Sequence, residues 1–452
     1  MQTNLVQIMD HVNDGNYARI ALYLTSCAAY VPEPEDTMVY KVVYDIFRKI
    51  ERYPEALRIA IRLNDAAMAQ EVLDACEDEL QKKQLCFMVA RNGALNLTTD
   101  DDSLNELLGN SQLSEHFLSL ARDLDVFEAK TPEEIYKTHL TETRGGHADI
   151  QSARANLASM FVNGFVNAGF GHDKLLNPNK TETSEETQGL SKWIYKCGSE
   201  NSAHGRISAA ASIGMIQMWD VDMGLNQVVR LQEMKDDHIQ AGAALASGLV
   251  SANVRNECDP VLALLTDQLE DKDMASCRRI GSALGLGLAY AGTQKEEILD
   301  LLTPIVVDPD IAVDLFSLAS LSLGYIFVGT GKADIAENII QGLMDRYDQA
   351  KEEDQKVVKD PMSRFACLGL GLLFLGLQEA ADITMMALEA LPGQIGQYAK
   401  FTVETCAYAG SGNVMKIQKL LGVCAEHLEE NNAHQVRHSA PMLHGHGHHS
   451  PR

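Results

Sequence analysis

Basic residues are scarce in this chain. Its 452 residues hold 38 Lys and Arg against 63 Asp and Glu, a formal net charge of −25. Phosphate backbones and anionic membrane surfaces are bound by clustered cations, so this balance excludes both as principal partners. Paired cysteines are missing as well. Nine are present, Cys27, Cys76, Cys86, Cys197, Cys258, Cys277, Cys367, Cys406 and Cys424, and no two are spaced Cys-x-x-Cys. An odd, scattered set excludes a disulfide framework and a zinc knuckle, leaving reduced and mostly structural thiols. Long apolar runs are absent too. Ala366–Leu377 spans 12 residues and is split by glycines, whereas a spanning helix needs roughly 20. The first residues carry Asp10 and Asp14 instead of a basic-then-apolar signal. A soluble, intracellular protein is expected.

Strand signals are weak, and helical periodicity fills the space. Asn16–Tyr30, Met38–Arg52, Glu55–Leu63 and Ala66–Cys76 place apolar residues three and four apart, the period of an amphipathic helix. Pro54 stands where a helix accepts proline, in its first turn. Thr98–Asn105, Thr141–Ile150 and Asn177–Ser191 are polar stretches that read as solvated loops. The last is the boundary expected between a helical-hairpin region, 1–176, and a second region, 192–425.

That second region repeats. Gly281–Gly292 and Leu368–Gly376 share glycines at relative positions 0, +2 and +7: Gly285, Gly287 and Gly292 in one, Gly369, Gly371 and Gly376 in the other. Taking the middle glycine as pivot, further copies centre on Gly214, Gly248, Gly324 (closed by Gly329) and, degenerate, Thr405 (closed by Gly410). The pivots are 34 to 47 residues apart, a spacing that belongs to helix pairs stacked in a solenoid. The longest step is ascribed to a polar insertion, Arg346–Lys359.

One repeat reads as follows. Residues 281–291 form a small-residue helix, Gly292 turns the chain in the left-handed conformation, and a second helix, Glu296–Leu302, stops at Pro304. Each glycine inside a helix costs roughly 1 kcal/mol relative to Ala. That cost is offset if a neighbouring backbone comes close. The first motif position is Ser212, Ala246, Gly285, Ser322 and Gly369, so smallness is what the position keeps.

Chemistry-bearing patterns are thin. Gly285-x-Gly287 lacks the third glycine at dinucleotide-loop spacing, and Lys332 in Gly329-Thr330-Gly331-Lys332 is followed by Ala333, not Ser or Thr. Neither His-Glu-x-x-His nor Gly-x-Ser-x-Gly occurs, so no catalytic residue, metal site or cofactor is assigned. Cys424 and His427 lie three apart without a second pair, and Met215, Met218 and Met223 read as core filler. The segment after Glu429, with His434, His438, His444, His446, His448 and His449, reads as a disordered His-rich tail.

The Gly-x-Gly-Leu-Ala-Tyr-Ala-Gly stretch at 285–292, with its copies, resembles the proteasome/cyclosome repeat. Ile135–Leu140, Phe161–Ala168, Val254–Pro260 and Cys406–Val414 also resemble the large non-ATPase scaffold subunits of the proteasome regulatory particle base, over about residues 1–425. The resemblance implies an all-α solenoid forming part of a toroid and a non-catalytic role in cytoplasm and nucleus. The partners it implies are proteasomal ATPases, ubiquitin, ubiquitin-like shuttle receptors and a deubiquitinase. It further implies that the family extends beyond both ends of this sequence.

Ubiquitin-like domains present a mixed apolar and basic face. An acidic ridge at Glu379, Asp382 and Glu389, with Ile383 and Met386 beside it, would suit such a face. These residues are spaced for one side of an outer helix. A plain solvated surface is the alternative.

Overall fold

The computed structural model describes residues 8–28, 30–31, 35–93, 95, 97–136, 148–176, 193–198, 203–256, 258–350, 361–391 and 393–425. They are all-helical, with no strand among the described residues. Two compact units are formed, Met1–Gln112 and Leu113–Arg452. Asn177–Ser191, 351–359 of the insertion, and the His-rich segment with His427 lie outside the described residues.

The first unit contains α1 (Tyr17–Ala28), α2 (Glu35–Lys49), α3 (Tyr53–Arg62), α4 (Ala66–Ala75), α5 (Glu79–Asn92) and α6 (Asp102–Leu108). Val43, Ile46, Leu57, Leu73 and Leu85 are fully buried among them. Side chains at the helix starts satisfy the open N–H groups: Asp65 accepts from Met68, Asp78 from Leu80 and Asp101 from Ser103. The last of these corrects the reading of Thr98–Asn105 as a loop. Asp101 is the cap and Asp102 lies in the first turn of α6, which buries Leu104 and Leu108.

The second unit begins with α7 (Leu113–Asp123), α8 (Pro132–Tyr136) and α9 (Ala148–Val166). It continues as alternating inner and outer helices. The inner row is α10 (His204–Ile216), α12 (Asp237–Val250), α14 (Ser276–Ala289), α16 (Val313–Ile326), α18 (Ser363–Leu373) and α20 (Gly393–Ala407). The outer row is α11 (Val221–Gln232), α13 (Pro260–Glu270), α15 (Glu296–Val307), α17 (Ala333–Ala350), the short α19 (Asp382–Ala387) and α21 (Val414–Ala425). Each inner helix packs against the next, and α9 packs against α10.

Small residues make that contact. A Cβ on Gly214 would lie 2.6 Å from the Ala246 carbonyl oxygen, and one on Gly287 would lie 2.7 Å from Ser322 Cβ. One on Gly324 would sit 2.5 Å from the Gly369 Cα. Looking back along the row, a Cβ on Gly285 would lie 2.5 Å from the Ala244 carbonyl oxygen and one on Gly369 2.3 Å from that of Ser320. Gly371 is looser, since a Cβ there would lie 3.0 Å from Cys406 Sγ. Serines serve where glycine is not required. Ser247, Ser282, Ser320 and Ser322 are fully buried and return their hydroxyls to the carbonyl four residues back.

The turns after the inner helices add a second link. Gly292, Gly329, Gly376 and Gly410 all have positive φ, between +68° and +78°. Gly292 N–H donates to Tyr325 O, Gly329 N–H to Leu372 O and Gly376 N–H to Cys406 O, each at 2.9 to 3.0 Å. These acceptors are carbonyls at the end of the next inner helix, which have no partner within it. Trp219, with φ +71°, takes the same place and donates to Val250 O.

Three further expectations need correction. Pro304 does not stop its helix, because α15 runs on to Val307. Pro304 and Asp300, whose carbonyl loses its helical partner to the proline, are both exposed. Water can satisfy that carbonyl while Ile305 and Val306 stay buried. Arg346 is not part of a solvated insertion but lies inside α17, 5 % exposed. Its guanidinium donates to Asp308 O, Ile311 O and Gly342 O and lies 3.9 Å above the Phe316 ring. Met223 is 61 % exposed and fills no core.

Candidate functional site

The acidic ridge falls between inner helices α18 and α20. Its backbone is not one α-helix. A 3-10 turn, Gln378–Ala381, leads into α19, and a second 3-10 turn, Leu388–Ala390, follows. Ala381, Met385 and Leu388 point into the core and fix the inner side. This leaves Glu379, Asp382, Ile383, Met386 and Glu389 exposed, with Ile383 at 76 % and Met386 at 62 %.

The three carboxylates are not equivalent. Glu389 is paired with Lys400 of α20 at 2.5 Å, and that hydrogen bond and charge hold its carboxyl below the usual range. Glu379 and Asp382 form no ion pair among the described residues. Both reach Tyr408 electrostatically. Burial chiefly raises the Tyr408 phenol, Lys416 works against that, and Asp382 and Glu379 add to it. Lys416 of α21 stands 4.3 Å over the Tyr408 ring. The ridge is therefore bordered by the sixth hairpin, where Val414 is 62 % and Met415 75 % exposed. Sequence reasoning missed Tyr408 and Lys416. The signal was an aromatic at the end of the inner helix with a lysine in the following element.

Glu404 holds this border in place. It is 3 % exposed, and its carboxylate accepts from Lys416 at 2.9 Å and Lys419 at 2.8 Å. Burial raises its pKa, but the two lysines outweigh that and leave it lowered.

Among the eleven repeat glycines singled out by sequence, Gly214, Gly248, Gly285, Gly287, Gly324, Gly369 and Gly371 lie on inner helices. Gly292, Gly329, Gly376 and Gly410 lie in the turns after them. Gly248 has the closest neighbour of these, the Gly285 carbonyl oxygen, 2.1 Å from where a Cβ would stand. None of the eleven frames a nucleotide loop, since no strand precedes them among the described residues.

A cavity of about 590 Å³ lies in the first unit, lined by Asp14, Tyr17, Arg52, Glu55, Arg58 and Gln84, among others. It mixes carboxylates with guanidiniums and brings no cysteine or histidine together. No group of three His, Cys, Asp or Glu suited to a metal occurs among the described residues. No helix among them is long and apolar enough to cross a membrane.

Comparison with known proteins agrees with the repeat architecture. Residues 2–141 match the RPN1 N-terminal domain model and residues 281–313 the proteasome/cyclosome repeat model. The chain is 45% identical over 438 residues to 26S proteasome non-ATPase regulatory subunit 2 homolog A of Arabidopsis thaliana, covering 95% of this chain and 47% of that protein. It is 39% identical over 431 residues to 26S proteasome non-ATPase regulatory subunit 2 of Dictyostelium discoideum, covering 95% and 45%. It is 42% identical over 422 residues to 26S proteasome regulatory subunit rpn1 of Schizosaccharomyces pombe, covering 93% and 45%. The chain thus spans about half the length of the curated relatives it matches. Its N-terminal match, its repeat match and this identity over nearly its whole length place the chain in the family of 26S proteasome non-ATPase regulatory subunits 2, the Rpn1 proteins.

Proposed function

We propose that this chain acts as a non-catalytic scaffold and receptor subunit in the base of the proteasome regulatory particle, in cytoplasm and nucleus. In this reading residues 192–425 supply part of a repeat ring and 1–176 the region before it. The ring contacts the proteasomal ATPases and offers its outer side to ubiquitin, ubiquitin-like shuttle receptors and a deubiquitinase. The observation that carries the receptor role is the exposure of Ile383 and Met386 in the same segment as Glu379 and Asp382, two exposed carboxylates without an ion-pair partner among the described residues. An apolar centre with acidic neighbours complements an apolar and basic partner face.

Capture of the chain by an immobilised ubiquitin-like domain tests this. Reversing Glu379, Asp382 and Glu389 to lysine should lower capture about tenfold or more. Unchanged capture would rule the ridge out as the docking site. Co-sedimentation with proteasome particles tests the scaffold role separately. A chain that binds the domain but never enters the particle acts as a receptor outside it.

A further inference from the structure

Two successive hairpins share a lysine that reaches back to the preceding outer helix. Lys295 Nζ lies 2.5 Å from Asp259 Oδ2, at the N-cap of α13, and 5.1 Å over the Tyr290 ring. Lys332 Nζ pairs with Glu296, the first residue of α15, and lies 4.6 Å over the Phe327 ring. Each lysine follows by five residues the aromatic that ends its inner helix. These are ion-pair rungs between consecutive hairpins.

The next hairpin has no such rung, and both ends have changed. Five residues after Phe374 stands Glu379, and the first residue of α17, in the place of Glu296, is Ala333, followed by Asp334. The outer element changes at the same point. Where α13, α15 and α17 are α-helices of 11, 12 and 18 residues, Gln378–Ala390 is a six-residue α-helix between two 3-10 turns. The 3-10 hydrogen-bond geometry is the poorer one.

We infer that Gln378–Ala390 is more compliant than α13, α15 and α17, opening locally before them because it lacks the rung that ties those three helices together. Only one consequence rests on the docking role proposed above: a partner seated on Ile383 and Met386 would stiffen the segment it binds.

Hydrogen exchange on the full chain tests the inference without any partner. Amides of residues 378–390 should exchange at least about tenfold faster than those of α15. The paired change Ala333→Glu with Glu379→Lys installs a rung. It should slow exchange of 378–390 about two- to fivefold, the range of an exposed ion pair, and neither single change should do so. Protection equal to that of α15 overturns the inference, and so does a double variant no slower than its single changes combined. Repeating the exchange with a ubiquitin-like domain keeps the two ideas apart. Failure to bind leaves the free-chain contrast standing, whereas binding without that contrast sinks compliance alone.

Discussion

A Cβ built on Gly248 would fall 2.1 Å from the carbonyl oxygen of Gly285 and 2.6 Å from its Cα. Both neighbouring atoms are backbone, so no side chain can swing aside. Gly248→Ala should therefore destabilise the second unit by about 1–3 kcal/mol, the usual range for overpacking, despite alanine's better helix propensity. Gly422 in α21 is the control, since nothing lies within 4 Å of its Cβ position. Gly422→Ala should stabilise by up to about 1 kcal/mol. Denaturant unfolding of both variants measures the contrast, and equal effects would remove the close-packing argument.

Arg346 holds three carbonyls that no other side chain reaches among the described hydrogen bonds. Arg346→Ala should cost about 3 kcal/mol, from the lost charge-assisted hydrogen bonds to Asp308 O and Ile311 O and lost packing on Phe316. Arg346→Lys keeps the charge but not the planar fork, so it should recover only part of the loss. Thermal unfolding of the two variants reads the order directly.

Glu404 gives α21 a pH dependence. Its folded pKa is lowered, so its stabilising contribution is present above the ordinary carboxylate range, roughly pH 4.3, and is lost as pH falls through the folded value. Amide exchange in Val414–Leu421 should accelerate across that acid window. Glu404→Gln should show faster exchange already at neutral pH and a flatter acid response.

Thiol labelling should separate the cysteines by burial. Cys27 and Cys258 are exposed, whereas burial pushes the Cys367 thiol up to about 12 and Cys406 to about 11. At pH 8 a thiol reagent should modify Cys27 and Cys258 first and leave Cys367 and Cys406 intact until the unit unfolds. Early labelling of Cys367 would show that α18 is not held as described.

The helical class and the inner row were legible because spacing alone marks them: Gly214, Gly248, Gly287, Gly324 and Gly371 recur at helix-pair intervals. What failed to show was decided by contacts far along the chain. Arg346 reads as one more charge in a polar run, and only the turn at Asp308–Ile311 makes it a core residue. Pro304 reads as a stop because sequence does not tell that Asp300, whose carbonyl it frees, faces solvent. Trp219 and Asn253 adopt the left-handed turn that sequence reserves for glycine. At the candidate surface, the ridge residues were visible in the sequence. The Lys400 pairing with Glu389 was not, since it joins separate hairpins, nor was the Tyr408–Lys416 border, which lies one hairpin beyond the ridge.

The turn hydrogen bonds give the inner row a polarity. Tyr325 O is closed by Gly292 N–H, Leu372 O by Gly329 N–H and Cys406 O by Gly376 N–H. In every case the donor is the earlier residue and the acceptor the later one. A hairpin thus carries the template that finishes its successor, and a chain emerging from its N-terminus always has that template in place first. Growth in the opposite sense would leave the Tyr325, Leu372 and Cys406 carbonyls without this cross-hairpin donor until the preceding hairpin docked.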